Sequence, residues 1–427
     1  MRILWITNIP FGKLSVLAGL KSGDISGSWL NASLDAFVGD KEYEIIVATI
    51  GNTNKIKTLV EDNITYCLLP GGSVAQYNYT SPSNGQTWEV IKNTYKPDLI
   101  QIWGTEFTHG YLALQVMQGI PSVIYMQGVM SQIARYYLSG MSDKELRSSI
   151  TLRDIIKCDW IKRAKRNFHR RSLIEAEMIR ISGNVIVENE WCSVHCKAID
   201  PSCVLFKSKL NIKDDFFKQQ WDISQIEPYT IMSNAAGYPI KGLHILLKAF
   251  GLVVPKYPQA KLYIPGENSP FEKSMLETLK LNGYTKFIKT IIQNLGIKNN
   301  VQFLGRLNSE EMAEKMAKSN VFVMPSSIEN HSSTLIEAMI VGTPCISSYV
   351  GGVPEYVEHN RNGLLYRFEE YEVLAAHILK VFSDPKFAAE IASNASSDMR
   401  KSRNGVNLKN ELTTIYQQIL SRYSNKY

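Results

Sequence analysis

The chain has 427 residues, 44% hydrophobic and 20% charged, with 47 Lys and Arg against 40 Asp and Glu for a formal net charge of +7. This length exceeds one ordinary domain, and the composition is that of a globular chain with large cores, which excludes a disordered or fibrous protein. No apolar run reaches the roughly 20 residues of a membrane span, and no nucleic-acid recognition module accompanies the basic excess, so neither an integral membrane protein nor a nucleic-acid binder is expected.

Short apolar runs alternate with amphipathic segments along the chain, the βα pattern of parallel sheets. The first run, "MRILWITNIPFG", reads as a buried strand. It has neither a long apolar stretch nor a small-residue cleavage site, so a cytoplasmic location is expected. "SGSWLNAS" then puts Gly27 at a βα turn, where a ligand can approach the backbone closely. Further strands are expected at "YEIIVATI", "DLIQIWG", "SVIYMQG" and "NVIVEN", with helices after Gly27, from Asn84, after His109 and across Leu152–Met178.

Within that last helix, Lys157 to Arg171 holds seven Lys or Arg and one acid, Asp159, around a seam of Trp160, Ala164 and Phe168. Two readings stand: a solvated helix anchored by its seam, or a peripheral contact of residues 157–171 with anionic lipid. Cys192, His195, Cys196 and Cys203 match no common zinc spacing, so no metal is expected and the thiols should be reduced and partly buried.

The second half repeats the pattern at "YTIMSNAA", "KLYIPG", "NVQFLG", "VFVMPSS", "PCISS" and "GLLYRF". Two doubly wound domains of about two hundred residues each fit this organisation. The boundary is placed at 208/209, in the mixed-charge connector beginning "LFKSKLNIKDD". The second domain then runs over 209–405, and a final helix, 406–427, packs back on the first. In such domains ligands bind at the carboxyl ends of strands, in the crevice between the two.

The chemistry gathers there. In "SSIENHSSTLIEAMIVGTPCISS", Ser326 to Ser348, two acids stand eight positions apart, Glu329 before a polar turn and Glu337 within an apolar helix. Thr334 to Glu337 reads as a capping box, and the helix start it marks is an anion site by its free N–H groups and dipole. "SNAAGYPIKGLHILLKAF" runs a strand into Gly237 and sets Lys241-Gly242 at a helix start, "FLGR" ends another strand at Arg306, and Gly351-Gly352 follows the strand after the acids.

In order and spacing, "AGYPIKGLHILLKAF", "VQFLGRLNSEEM", the acidic segment and "GGVPEYVEHNRNGLLY" resemble the blocks of the retaining glycosyltransferases of family four, whose mark is a Glu-x7-Glu motif. The resemblance is clear from about Ile231 to Arg367 and weaker over residues 1 to 206. It implies an α/β GT-B fold, two Rossmann-like domains facing a central cleft, and a metal-independent hexosyltransferase. The implied donor is a nucleotide-diphosphate sugar and the implied acceptor a glycan or lipid-linked sugar in bacterial surface polysaccharide synthesis, with no cofactor.

By that resemblance Glu337 holds the donor ribose and Glu329 the transferred sugar. Ser332, Ser333 and Thr334 offer N–H groups to the diphosphate, with Asn330 in the same loop and Gly237 beside it. Lys241 stabilises the departing diphosphate, and the backbone at Arg306 meets the base. The sequence departs from the family pattern at Tyr238, which stands where an Arg is usual, at Ser332 in place of Gly, and at Gln127 in place of a histidine. Gln127 and nearby His109 are candidate sugar or acceptor contacts. An epimerase or phosphorylase on the same fold, or an inactive donor-binding subunit, are the alternatives.

Overall fold

The computed structural model describes residues 1–20, 28–71, 82–235, 237–266, 269–271, 277, 279–404 and 406–424. Gly27, expected at a ligand-approach turn, lies outside the described residues. The chain divides into two compact units. One comprises Met1–Ser131, Asn167–Asn211 and Gly405–Tyr427, the other Gln132–Arg166 and Ile212–Asn404. A single cut at 208/209 therefore misassigns residues 132–166, which group with the second unit.

In the first unit β1 (Arg2–Thr7), β2 (Glu44–Asn52), β3 (Lys57–Glu61), β4 (Ile64–Gly71), β5 (Leu99–Trp103), β6 (Ser122–Tyr125), β7 (Asn184–Val187) and β8 (Val204–Lys207) form a sheet in the order β3-β4-β2-β1-β5-β6-β7-β8. All pairs are parallel except β3 with β4, which meet antiparallel across a turn where Asp62 has φ 52°. The strands are apolar on both faces because both are covered. Leu4, Ile6, Ile46 and Ala48 fall in one core, whereas Ile3, Trp5, Ile45 and Val47 fall in the other. This is the period-2 alternation of a strand. The helix Leu408–Ser424 adds Leu408, Leu412, Ile415, Tyr416 and Ile419 to the second core. There the Trp5 indole N–H donates to the Tyr416 hydroxyl at 3.1 Å, and that hydroxyl donates to Gln101.

In the second unit β9 (Glu227–Met232), β10 (Lys261–Pro265), β11 (Val301–Gly305), β12 (Ser319–Met324), β13 (Cys345–Ser348) and β14 (Leu364–Tyr366) form an all-parallel sheet in the order β11-β10-β9-β12-β13-β14. The chain runs outward on one side from β9 and on the other from β12. The order reverses between these two strands, and ligands of open α/β sheets bind at the carboxyl ends of such a pair. The first unit has its own reversal between β1 and β5.

One expected element differs. The helix expected across Leu152–Met178 is two, Leu152–Lys157 and Ile161–Ser182, because Cys158 takes a left-handed conformation at φ 49° and ends the first. Cys192, Cys196 and Cys203 are buried among the aliphatic side chains of the first core.

Candidate active site

The acidic segment sits where β12 ends beside β9. The loop after β12 is stitched to both neighbours. Ser327 N–H donates to the Ile240 carbonyl at 2.8 Å, and Gly352 N–H donates to the Glu329 carbonyl at 3.2 Å. Two glycines permit this closeness. Gly242 (φ +72°) would place a Cβ 1.7 Å from the Pro325 oxygen, and Gly351 (φ +53°) would place one 1.7 Å from the Glu329 oxygen. Any side chain at either position would push the loop away.

This stitching brings Lys241 and Glu329 together. The Lys241 ammonium donates to Glu329 Oε1 at 2.7 Å, and the Ser326 hydroxyl reaches the same oxygen at 2.7 Å. Their side chains keep 29% and 13% exposure, so the pair is sheltered but open to a ligand. Burial pushes the Lys241 pKa down, but the Glu329 carboxylate outweighs it and leaves the ammonium above its ordinary range. Lys241 is charged at any physiological pH.

The helix Ser333–Val341 begins immediately after the loop and ends at Gly342, φ 84°. Its cap is Ser332, whose hydroxyl accepts from Leu335 N–H at 3.4 Å. The capping box expected from Thr334 to Glu337 is therefore not formed: the helix starts earlier, and Thr334 lies inside it and accepts from the Asn234 amide at 3.3 Å. Ser333 and Thr334, as the first two helical residues, have N–H groups without intrahelical acceptors. The polar loop is held from behind by Arg403, which donates to His331 Nε2 at 2.6 Å, and Asn330 is buried in it.

Freed from capping, Glu337 is half-buried and takes no hydrogen bond among the described residues. Burial pushes its carboxyl up to about 7, with Lys213 pulling partly back. Tyr238, 42% exposed, precedes the turn Pro239–Lys241, and Gly237 has φ 104°. Arg306 follows β11 on an exposed position.

The first unit gathers acids at its own reversal. After β5, Glu106 accepts from the Asn8 amide, which follows β1, and its backbone oxygen accepts from Arg171 at 3.1 Å. Burial pushes the Glu106 carboxyl up to about 7. Fully buried Glu175 accepts from the Thr105 hydroxyl and from Met130 N–H, the latter at 2.9 Å, yet burial still pushes it up to about 8. Sequence reasoning passed over these two acids, although "WGTEF" places Glu106 just past a strand end. His109, expected as a ligand contact, is fully buried with Nε2 at 2.9 Å from the Thr7 carbonyl oxygen. Burial lowers it to about 4, so it is a neutral core residue. Gln127 lies half-buried just after β6.

The family match lies on the second unit. Residues 213–398 match the family of glycosyl transferases group 1. N-acetyl-alpha-D-glucosaminyl L-malate synthase of Bacillus anthracis is 26% identical over 204 residues, 48% of this chain and 49% of that protein. The chain thus spans about half the length of the curated relatives it matches. Sucrose-phosphate synthase from Thermosynechococcus elongatus has the same fold, with a TM-score of 0.70 at 16% identity over 99% of this chain and 100% of the other. So does Anabaena HepE in complex with UDP-glucose, with a TM-score of 0.64 at 18% identity over 100% of both chains. The family match lies on the unit that holds Lys241, Glu329 and Glu337, so that unit is similar to the group 1 glycosyltransferases, and the chain has the GT-B fold, two Rossmann-like units.

Proposed function

We propose that this protein is a retaining, metal-independent glycosyltransferase moving a hexose from a nucleotide-diphosphate sugar to a glycan or lipid-linked acceptor. The observation that carries the reading is the 2.7 Å pairing of Lys241 with Glu329 at the switch point of the matched unit, next to a helix start and a carboxyl, Glu337, open to a ligand. HepE was crystallised with UDP-glucose, which makes uridine diphosphate sugars the first donors to try.

In this reading Glu337 accepts the ribose hydroxyls, and the N–H groups of Ser333 and Thr334 hold the diphosphate with the Ser332 turn. Asn330 and Gly237 border that pocket, and the backbone at Arg306 meets the base. Glu329 fixes a hydroxyl of the transferred sugar. As the bond from the anomeric carbon to the phosphate oxygen breaks, Lys241 stabilises the charge that develops on the diphosphate. The acceptor oxygen bonds to the same face of the anomeric carbon, and its proton passes to the departing phosphate oxygen. Donors fixed before the reaction act most strongly on such developing charge, so a cation and helix N–H groups can serve where other transferases use a metal.

Glu106 and Asn8, with Gln127, are the acceptor-side groups of the first unit. A carboxyl poised near neutrality can accept from or donate to an acceptor hydroxyl. We place the enzyme in the cytoplasm, in bacterial surface polysaccharide synthesis, with residues 157–171 meeting anionic membrane.

The test is a thermal-shift screen of nucleoside diphosphates and their sugars with added divalent metal and with chelator, followed by NMR of the product linkage with the best donor. Donor stabilisation unaffected by chelator and retention of the anomeric configuration are expected. Inversion, or metal-dependent turnover, would refute the mechanism. Donor binding without transfer to any acceptor would favour an inactive donor-binding subunit, which the Tyr238 departure makes the second reading.

A further inference from the structure

The short helix Leu152–Lys157 is built inside out. Its sequence is LRDIIK, and the residue it buries is the acid: the Asp154 side chain is 1% exposed. Leu152, Ile155 and Ile156 are 62%, 59% and 74% exposed. These positions are spaced i, i+3 and i+4, so they share one helix face. An aliphatic face turned to water on a helix that buries a carboxylate reverses the ordinary pattern, and the packing around Asp154 shows why it cannot roll over.

Asp154 closes a capping box with Thr151 and pairs with Arg153 at 3.2 Å. The helix Gly283–Asn294 begins directly against it, for a Cβ at Gly283 would lie 2.7 Å from Asp154 Oδ2. Lys286 of that helix donates to the Ser148 and Ile150 carbonyls at 2.9 and 3.2 Å, pinning the approach to the short helix. Buried, paired and capped, Asp154 holds the aliphatic face outward.

Positive charge is dense in the same segment. Residues 151–166 carry six Lys or Arg against Asp154 and Asp159. Lys157, Lys162, Arg163 and Arg166 are exposed, Lys162 pairs with exposed Asp143 at 2.7 Å, and Arg163 lies over the Trp160 ring at 5.7 Å. No helix among the described residues is long and apolar enough to cross a membrane. Exposed aliphatic side chains followed in the chain by exposed cations match the boundary between anionic headgroups and acyl chains, where the first are drawn out of water and the second meet phosphate.

We propose that Leu152, Ile155 and Ile156, with the exposed cations Lys157, Lys162 and Arg163 that follow them in the chain, form a docking surface for an anionic phospholipid bilayer. This deepens the membrane contact proposed above by moving its anchor from the basic helix to the aliphatic face before it, and it does not depend on the transfer chemistry.

The chain supplies its own reporter. Cys158, next to the face, is exposed, and the other five cysteines are buried. The full-length protein, labelled at Cys158 with a polarity-sensitive maleimide, is mixed with vesicles of phosphatidylcholine alone or with phosphatidylglycerol added. Flotation is read in parallel. A blue shift and flotation are expected with phosphatidylglycerol, weakening as salt rises. Ile155→Glu with Ile156→Glu should lower vesicle affinity at least tenfold, and Lys162→Glu with Arg163→Glu should abolish the preference for phosphatidylglycerol. Both pairs are exposed, so thermal stabilisation by nucleoside diphosphate should match that of the unsubstituted protein. That parallel readout separates failure of this surface from failure of the transferase reading. Equal binding of the glutamate variant and the unsubstituted protein would overturn the proposal. So would absent binding at low salt, or a dimer that Ile156→Glu dissociates while vesicles stay unbound.

Discussion

Replacing Glu337 by Gln should remove a pH dependence from nucleoside diphosphate binding, and the size of that dependence follows from the carboxyl's surroundings. Burial pushes it up to about 7, and no described residue gives it a hydrogen bond. To accept two ribose hydroxyls it must be ionised, so ligand binding below about pH 7 has to expel a proton. That costs tenfold per pH unit, which makes binding at about pH 5.5 roughly 30-fold weaker, or about 2 kcal/mol, than on the plateau above about pH 8. The diphosphate titrates over the same range, but it does so identically for both proteins. The ratio of the two dissociation constants therefore isolates Glu337. An amide at this position accepts one hydroxyl and carries no charge, so the two binding curves should converge in acid and separate by roughly tenfold or more above pH 8. Isothermal titration calorimetry across that range, in buffers of different ionisation enthalpy, also counts the expelled proton directly. A constant offset between the curves, with equal proton release, would mean that Glu337 never meets the ribose and acts only through the fold.

Lys241→Ala should lower turnover by roughly a hundredfold or more, as one transition-state charge partner is lost. Initial rates set beside nucleoside diphosphate affinity check this, and near-normal turnover would hand the role to another cation, Arg306 first. Glu329→Gln keeps the size and removes the charge, so diphosphate affinity should survive while turnover and discrimination between epimeric donors fall. Equal loss of binding and turnover would make Glu329 a support for the loop. For Glu175, whose folded value of about 8 lies above the ordinary 4.5, the stabilising proton is held fully below about pH 4.5 and lost as pH rises through about 8. Glu175→Gln can accept from Met130 N–H and donate to Thr105, so urea unfolding at about pH 6 and 9 should show the decline with pH reduced by roughly 2–3 kcal/mol, and an unchanged slope would place the charge elsewhere.

What the sequence made legible follows from where local signals agree. Every strand of the second sheet was readable because each contains a short apolar run ended by a polar or glycine turn, as "VFVMPSS" is before Glu329. In the first sheet β3, β4 and β8 are absent from the expected strands; β3 is an edge strand with Val60 68% exposed and shows no clean alternation. The break at Cys158 was invisible too, since a left-handed cysteine carries no sequence mark of the kind a glycine leaves. Among site residues, Lys241 and Glu329 stood out by position at strand ends, but their pairing depends on which strands are neighbours, which no local pattern encodes. His109 misled because a helix-start histidine looks the same in sequence whether its ring meets solvent or the Thr7 carbonyl. The second unit's claim on residues 132–166 is equally non-local: it rests on contacts such as Lys286 with Ser148 and His244 with Ser139.

Both units put acids at the reversal of strand order, yet they treat the charge in opposite ways. Glu329 has a lysine ammonium and a serine hydroxyl on one oxygen, so the pair is charged and sheltered together. Glu106 has the neutral Asn8 amide and its own backbone N–H on its carboxyl, while Arg171 donates to the Glu106 backbone oxygen. Burial then wins in the first unit and holds both Glu106 and Glu175 close to neutrality. A charged pair answers a change of charge, whereas a carboxyl near its pKa answers a hydroxyl, which donates and accepts in the same place. In the proposed reaction the departing diphosphate needs the first kind of site and the acceptor alcohol needs the second. The same strand-end geometry serves either purpose, and the difference lies in whether a cation reaches the carboxyl oxygen or stops at the backbone.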